Sequence, residues 1–418
     1  MIGNRRLGTA LPVLLIFALL AAGDLASGGI IVKYYVHDMF VLFDAMWRGS
    51  LGQTPHIDFH TPIGQAYYWP FRLLGAFGDH DALSIIHAHV LVGALLTAGM
   101  LATLQRRLSP ALLMAAAFTL LALAMTPRDI DHGITGYSWL APYNRWSWAI
   151  LLLAALVAAL PPQRERRWID GIVLGVAIAL LFYMKLTFFV AAVGLVVVGL
   201  VLRQLAWPTA LIALAVCLAC ALGVEATWHN HAAYLADLRM AFHASAGAQN
   251  RLGLYKLLRT VRLGAGFGML VVAILWLWRP MLSPWRWLIL WWKPLLLSAA
   301  IIGAGLFVTI QNHPNFEFAH GVIAVLVAIE LARRRDPERP MAWRKGALVA
   351  LAALAMILPA MDAASIFAHA IESRGNHICP VPALAGTPGA ALLEPASPSG
   401  ICSVAKAAPS ADIATFDY

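Results

Sequence analysis

The chain has 418 residues, of which 61% are hydrophobic and only 12% charged, with a mean hydropathy of +0.74. A soluble domain carries about twice that charged fraction, so these values exclude an ordinary soluble globular protein. The formal net charge of +9 resides mostly in short connectors between apolar blocks. It therefore reads as a topology signal and not as a nucleic-acid surface, and no nucleic-acid partner is expected.

The apolar residues come in repeated blocks without strand alternation. Blocks of ~16–24 residues match a hydrocarbon core of ~30 Å at ~1.5 Å per residue, and in lipid only helices or closed barrels satisfy the backbone. The sequence predicts an all-α, polytopic transmembrane helical bundle of about eleven spans. The first, after MIGNRR, runs from about Leu7 to Ala22 and reads as an uncleaved span. Further spans are expected near 83–105, 109–126, 143–160, 169–184, 187–202, 208–224, 264–279, 288–309, 319–332 and 345–362, with a tight turn at Lys185 dividing the fourth and fifth of these. Basic residues at Arg5 and Arg6, Arg106 and Arg107, Arg164 to Arg167, Arg203, Arg279 to Arg286 and in ARRRDPERPMAWRK mark alternate connectors as cytoplasmic. The expected topology is N-terminus cytoplasmic and C-terminus periplasmic, in a bacterial inner membrane, the bacterial source resting on the Ala-rich composition and short connectors.

This divides the chain into a bundle over 1–362 and a periplasmic tail over 363–418 rich in Pro, Ala and Gly. Two long periplasmic loops interrupt the bundle, at 24–82 and 225–263. In the first, Met39, Phe40, Phe43, Met46 and Trp47, and again Tyr67, Tyr68, Phe71, Leu74 and Phe77, recur at helical spacing. They predict short helices lying at the interface with aromatics at headgroup level. In the tail, Cys379 and Cys402 fall on the oxidising side and are expected to form a disulfide across a segment with little core. Cys217 and Cys220 lie in an apolar block and read as small buried hydrophobes.

Ionisable residues at the outer ends of spans are the candidates for chemistry, because burying them is costly. The first loop reads YYVHDMFVLFDAMWRGSLGQTPHIDFHTPIGQAYYWPF and is the most acidic. Asp38 and Asp58 are candidate catalytic carboxylates: a carboxylate fixed and partly desolvated by Pro-bracketed backbone suits a general base. His37 and His60 flank them. His56, Asp58 and His60 form H-x-D-x-H, which in an extended segment would share a face and could converge on a metal. Asp129 and Asp131, beside His132, offer a second acidic cluster with the donor types for a divalent cation. No cofactor is otherwise implied, and no metal ligand set is assigned. Gln311, His313 and Glu317, in QNHPNFEFAHG with Asn312 and His320, form a further polar cluster at an outer end. Lys185, inside LLFYMKLTFFV, is the cation most in need of an anionic partner or a snorkelling route. Arg145, Arg251 and Arg262 are further candidate anion contacts, each equally open to service as an interface anchor or solvated loop charge. His87 and His89 read as polar helix contacts. The GIVLG segment at 171–175 and GAGFG at 264–268 read as close helix packing, since no strand or acidic partner frames a dinucleotide loop. There is no Walker lysine motif and no nucleophile elbow.

An acid soon after span one, followed by Ala45, Gly49 and then Pro-His-Ile-Asp-Phe-His-Thr-Pro-Ile-Gly, resembles the first periplasmic loop of the GT-C superfamily of polytopic glycosyltransferases. The residues that match are Asp38 for the first acid and Asp58, Pro62 and Gly64 for the second motif. Family acids often come as an adjacent pair, whereas His37 precedes Asp38 here. The resemblance covers about residues 10–80 by motif and the rest by topology alone. It implies a GT-C-like fold and an enzyme of inverting type that moves a sugar from a polyprenyl-phosphate donor to a periplasmic or lipid-linked glycan or lipid acceptor. It further implies a first-loop Asp as base or as positioning group for the acceptor. On this reading Lys185, Arg145 and Arg262 would meet the donor phosphate. His37, His60, Asp129, Asp131, Gln311, His313 and Glu317 would meet acceptor or sugar, and membrane lipids would surround the bundle. The alternatives are a transporter or flippase for a lipid-linked glycan, and a non-catalytic membrane scaffold.

Overall fold

The computed structural model describes residues 2–27, 29–33, 43–44, 46–49, 51–78, 83–129, 132–139, 142–278, 282–311, 319–335, 342–375, 378–381 and 392–395. Helices dominate: α1 (Ile2–Leu25), α2 (Trp69–Gly75), α3 (Ser84–Thr103), α4 (Pro110–Met125), α5 (Pro142–Ala159), α6 (Arg167–Met184), α7 (Leu186–Val201), α8 (Trp207–Trp228), α9 (His231–Trp278), α10 (Pro284–Gln311), α11 (Ala319–Arg335), α12 (Ala342–Ala355) and α13 (Ile357–Gly375). Prolines begin several of them: Pro110 in α4, Pro70 in α2 and Pro208 in α8 stand in the first two positions, where a missing N–H costs nothing. α8 ends at His229 in the left-handed conformation, a common helix stop.

The helices pack in a bundle around α5 and α11. From Arg145 to Ala159 every residue of α5 is buried, as is every residue of α11 from Ala319 to Ala328. A helix apolar on all sides is stable only when neighbours or lipid cover all of it; α4, α6, α7 and α11 enclose α5. α8 is the opposite case. It packs on α6, where a Cβ at Gly171 would meet Ile212 and one at Gly175 the Ala213 carbonyl oxygen at 2.5 Å. The GIVLG segment is thus the close-packing stripe that its small residues suggested. The other face of α8 leaves Leu211, Leu214, Leu218 and Leu222 more than half exposed, as a lipid-facing stripe would.

Among the described residues, five helical stretches are individually long and apolar enough to cross a membrane: Gly8–Leu25, Ser84–Arg106, Arg167–Met184, Trp207–Trp228 and Pro284–Ile310. The pair α12–α13, bent by 49°, makes a sixth if it counts as one span, and Pro110–Met125, Leu186–Val201 and Gly264–Trp278 are shorter apolar helices. The apolar blocks read from sequence are therefore helical throughout, but fewer of them are full-length spans than the eleven expected.

Two boundaries and one orientation change. The expected 225–263 loop is helix: it holds the last turn of α8 and more than half of α9, a single helix of 48 residues. The tail does not begin at 363, because α13 runs on to Gly375 and buries Ala363, Ile366 and Ala370. Beyond it, β2 (Ile378–Val381) and β3 (Leu392–Pro395) pair antiparallel, and β3 pairs parallel with β1 (Ile30–Ile31), joining the tail to the start of the first loop. Lastly, Tyr67, Tyr68 and Phe71 do not form an exposed interfacial face. They are buried, with Tyr67 packed edge-on or tilted against Tyr143 and Trp146, while Phe77 alone of that series is strongly exposed. The helical spacing was right for α2, but the amphipathic face turns inward.

One end of the bundle is cross-linked by buried charge. Asp170, on the first turn of α6, accepts from Arg106 at 2.6 Å and from Arg107 at 3.0 and 2.9 Å. Glu330, fully buried on α11, accepts from Arg333 and Arg334 at 2.6 and 2.7 Å, and Arg334 reaches on to the Pro161 and Arg107 carbonyls. Removing one partner of a buried ion network leaves the others uncompensated, at a cost of about 3–5 kcal/mol. Asp170→Ala is expected to lower the thermal unfolding midpoint of the detergent-solubilised protein sharply. A midpoint equal to the parent's would contradict this account of the Arg-rich end.

Candidate functional site at the opposite end

At the other end the first loop folds down onto the bundle. Thr54 begins a turn in which its carbonyl accepts from the Ile57 and Asp58 amides, and His56 takes a left-handed φ of 72°. Non-glycine residues adopt this conformation only under tertiary constraint, and here the constraint is visible. His56 Nδ1 donates to Asp237 Oδ2 at 2.8 Å, and His60 Nδ1 donates to Asp237 Oδ1 at 2.6 Å. The Thr61 amide adds a third bond to Asp237 at 3.3 Å. Asp237 lies on the second turn of α9 with its side chain 4% exposed, so one buried carboxylate grips both ends of a six-residue loop segment. The Tyr234 ring packs against His56, and its hydroxyl donates to the Phe182 carbonyl at 2.6 Å.

The H-x-D-x-H segment is therefore a turn and not an extended strand, and its donors do not converge on a metal. Both histidines spend Nδ1 on Asp237, while Asp58, exposed, accepts from the Thr54 amide at 2.6 Å and so caps its own turn. Among the described residues no group of three or more His, Cys, Asp or Glu side chains is arranged to hold a metal ion.

The Pro-Ile-Gly segment then docks on the junction of α6 and α7. The Gly64 amide donates to the Met184 carbonyl at 3.1 Å, and a Cβ at Gly64 would run into the Tyr183 carbonyl oxygen, so only glycine fits. The Gln65 side chain bonds Asn230, just ahead of α9. Thr61 and Tyr68 bond through their hydroxyls at 2.9 Å, and burial pushes the Tyr68 phenol up to about 12.

The junction itself is a single extended residue, Lys185, with φ −162° and ψ 117°. Its ammonium donates to the Asn144 side-chain oxygen at 3.0 Å and lies 5.1 Å from the Tyr143 ring centroid. No described carboxylate pairs with it. The tight turn expected at Lys185 is thus a one-residue break between two apolar helices, with the cation held by neutral groups.

The other sequence candidates separate from this patch. Arg145 is buried: it donates to the Arg128 carbonyl and stands 3.9 Å from Asp362, which Arg128 grips at 2.7 and 2.9 Å. Such a group is committed to an internal charge cluster and is poorly placed to meet a donor phosphate. Asp129 is likewise buried and accepts from His132 at 2.7 Å, closing a turn. Arg262 is exposed on α9, 25 residues beyond Asp237, which is roughly 37 Å along an ideal helix. His89 makes the polar helix contact expected of it: its Nδ1 donates to the Met125 carbonyl at 3.0 Å. His37, Asp38, Asp131, His313, Glu317 and Cys402 lie outside the described residues, as do the side chains of Arg251, Gln311 and Cys379.

Two carboxylates escaped the sequence reading. Asp237 was hidden in a stretch read as loop; the spacing of Tyr234, Asp237, Leu238 and Ala241 on one helix face was its only signal. Asp24, near the end of α1, is 1% exposed, and neither of its oxygens has a hydrogen-bond partner among the described residues. It served in the sequence only to mark where the first loop starts. Beside it, the C-terminal helix ties down the loop's first residues: His369 bonds the Ser27 hydroxyl and accepts from the Ile31 amide, and Lys33 pairs with Glu372 at 2.7 Å.

Burial lowers the His56 pKa below its ordinary value, and the Asp237 carboxylate opposes that shift only in part. A histidine lowered on folding binds fewer protons in the folded state, so its contribution to stability is lost as pH falls below the unfolded value of ~6.5. Amide hydrogen exchange over residues 54–64 is therefore expected to speed up between pH 7.5 and pH 5.5 relative to α5. Equal protection at both pH values would show that the docking does not depend on neutral His56.

No protein-family model, curated protein or solved structure matches this chain.

Proposed function

We propose that the chain is a membrane glycosyltransferase of GT-C type, transferring a sugar from a polyprenyl-phosphate donor to a periplasmic or lipid-linked acceptor. The site faces the periplasm of a bacterial inner membrane, with the N-terminus in the cytoplasm. The observation that carries this reading is Lys185. A cation lodged in a backbone break between two apolar helices, held among the described residues only by an amide oxygen and an aromatic face, is an unsatisfied demand for an anion. A lipid phosphate meets that demand while its tail runs along the hydrocarbon. The first loop, with its acids and histidines, closes over the same break through Gly64. On this reading the phosphate sits at Lys185, neutralised as it leaves, and the sugar lies under the 54–64 segment. Asp38 remains the first-loop acid that the family resemblance points to, as base or as positioning group for the acceptor. A divalent cation is compatible with the chemistry and is not required by it.

One feature favours a transporter or flippase for a lipid-linked glycan: the 49° bend between Lys345–Ala355 and Ile357–Arg374, which has the form of a broken span or re-entrant segment. The two readings part in one assay. Membranes containing the parent protein, Lys185→Ala or Asp38→Asn are supplied with a radiolabelled polyprenyl-phosphate sugar, and label in the acceptor fraction is counted. The parent is expected to transfer sugar and Lys185→Ala to transfer about 10²-fold less, the usual scale for removing one charge-stabilising group. Movement of intact donor across the membrane without sugar transfer would establish the transporter instead, and equal transfer by Lys185→Ala would remove the phosphate assignment.

A further inference from the structure

We infer that His60, oriented by Asp237, is the proton acceptor of this site, so that the catalytic base is an Asp–His pair and Asp38 is left the acceptor-positioning role. The inference rests on the glycosyltransferase reading and sharpens it.

The two histidines that share Asp237 differ in one decisive respect. His56 has its side chain fully buried, with Nε2 aimed into the protein and left without a partner. The His60 side chain is 78% exposed. In both, Nδ1 is the nitrogen committed to the carboxylate. A neutral imidazole that donates through Nδ1 carries its lone pair on Nε2. At His60 that lone pair is turned to the open face of the loop, while the carboxylate behind it fixes the tautomer and ring direction and would stabilise the imidazolium once formed. This is how an acid–imidazole pair makes a general base. Asp58, by contrast, already spends an oxygen on the Thr54 amide. His60 also stands four residues before Gly64, whose amide bonds the residue preceding Lys185, so base and phosphate cation are tied to one short segment. The other charged and titratable groups described around the loop include His56, Asp58, Tyr68, Tyr234 against His56, Arg72 on the Gln53 carbonyl, and Arg48, which pairs with Asp44 and lies over the Phe59 ring.

The step balances without a further reactant. The acceptor hydroxyl oxygen attacks the anomeric carbon and forms the new C–O bond. The bond from that carbon to the phosphate oxygen breaks, and its electron pair leaves with the polyprenyl phosphate. The hydroxyl proton passes to His60 Nε2 and is then lost to water. His56 takes no part in the transfer; it holds Asp237 from the opposite side and keeps the clamp closed.

The test uses the full-length protein in membranes and the labelled polyprenyl-phosphate sugar over pH 5.5–8.5, comparing the parent with His60→Ala, His60→Gln and Asp237→Asn. His60→Ala and His60→Gln are expected to lose about 10²-fold in transfer, the lower range for a general base. Both should also lose the acid limb of the parent pH profile, and added imidazole should restore part of the activity of His60→Ala, which a structural role would not allow. His56 and the Thr61 amide still hold Asp237 in these variants, and a melting curve matching the parent's is required of each, so they decide the matter if Asp237→Asn is unstable. Transfer within twofold of the parent by His60→Ala, or a loss without any change in pH profile or imidazole rescue, would overturn the base assignment and leave the glycosyltransferase reading intact. A parent that transfers no sugar at all would overturn both.

Discussion

A carboxylate buried at 4% exposure persists only when its lone pairs are filled, and Asp237 fills them from a single loop: two imidazoles and one backbone amide. The organisation of the polar end follows from this. The clamp holds His56 in a left-handed conformation, which turns the chain so that Thr61 and Gly64 meet Tyr68 and Met184. Without the clamp, a segment carrying Pro55, Pro62 and several polar side chains would have little reason to lie against an apolar bundle. With it, the loop becomes a roof over the one-residue break at Lys185.

The two ends of the bundle use buried charge differently. At the Arg-rich end, Asp170 and Glu330 are each surrounded by two guanidinium groups, and the geometry is closed. Arg128, Arg145 and Asp362 make a comparable closed knot at the other end. Lys185 and Asp24 break the pattern, one a cation without a described carboxylate, the other a carboxylate without a described donor. Proteins tolerate such groups where something else supplies the partner. That contrast, more than any motif, separates the scaffolding charges from those available for chemistry.

Much of the scaffold was legible in the sequence because apolar block length and glycine spacing are local properties. The blocks became helices close to their expected bounds, the 171–175 stripe packed closely, and α2 formed within the second aromatic series of the first loop, taking in Phe71 and Leu74. What local pattern could not show was partnership. Tyr67, Tyr68 and Phe71 have the spacing of an interfacial helix and are buried, because Tyr143 and Trp146 offer a better surface than a headgroup layer. The 231–263 stretch mixes polar and apolar residues too evenly to read as a span, yet it forms a helix continuous with the apolar run that follows. Asp237 was invisible for that reason: its importance lies in two histidines more than 170 residues away. His60 was legible as a polar loop residue, and its tautomer was not, since that depends on Asp237. The H-x-D-x-H pattern misled because it assumes an extended backbone, which Thr54 and Asp58 deny it.

The length of α9 gives the clamp a mechanical meaning. Its 48 residues span roughly 72 Å as one helix, with Asp237 near the start and the apolar stretch from Gly264 to Trp278, packed on α10 and α11, at the far end. A stiff rod gripped at both ends transmits tilt. Any rearrangement that lifts the loop to admit a bulky ligand must either release the carboxylate or swing the rod, and swinging it would disturb helices far from the point of entry. The loop clamp and the helix packing at the far end are thus parts of one element, and neither end can tilt alone while that helix stays straight.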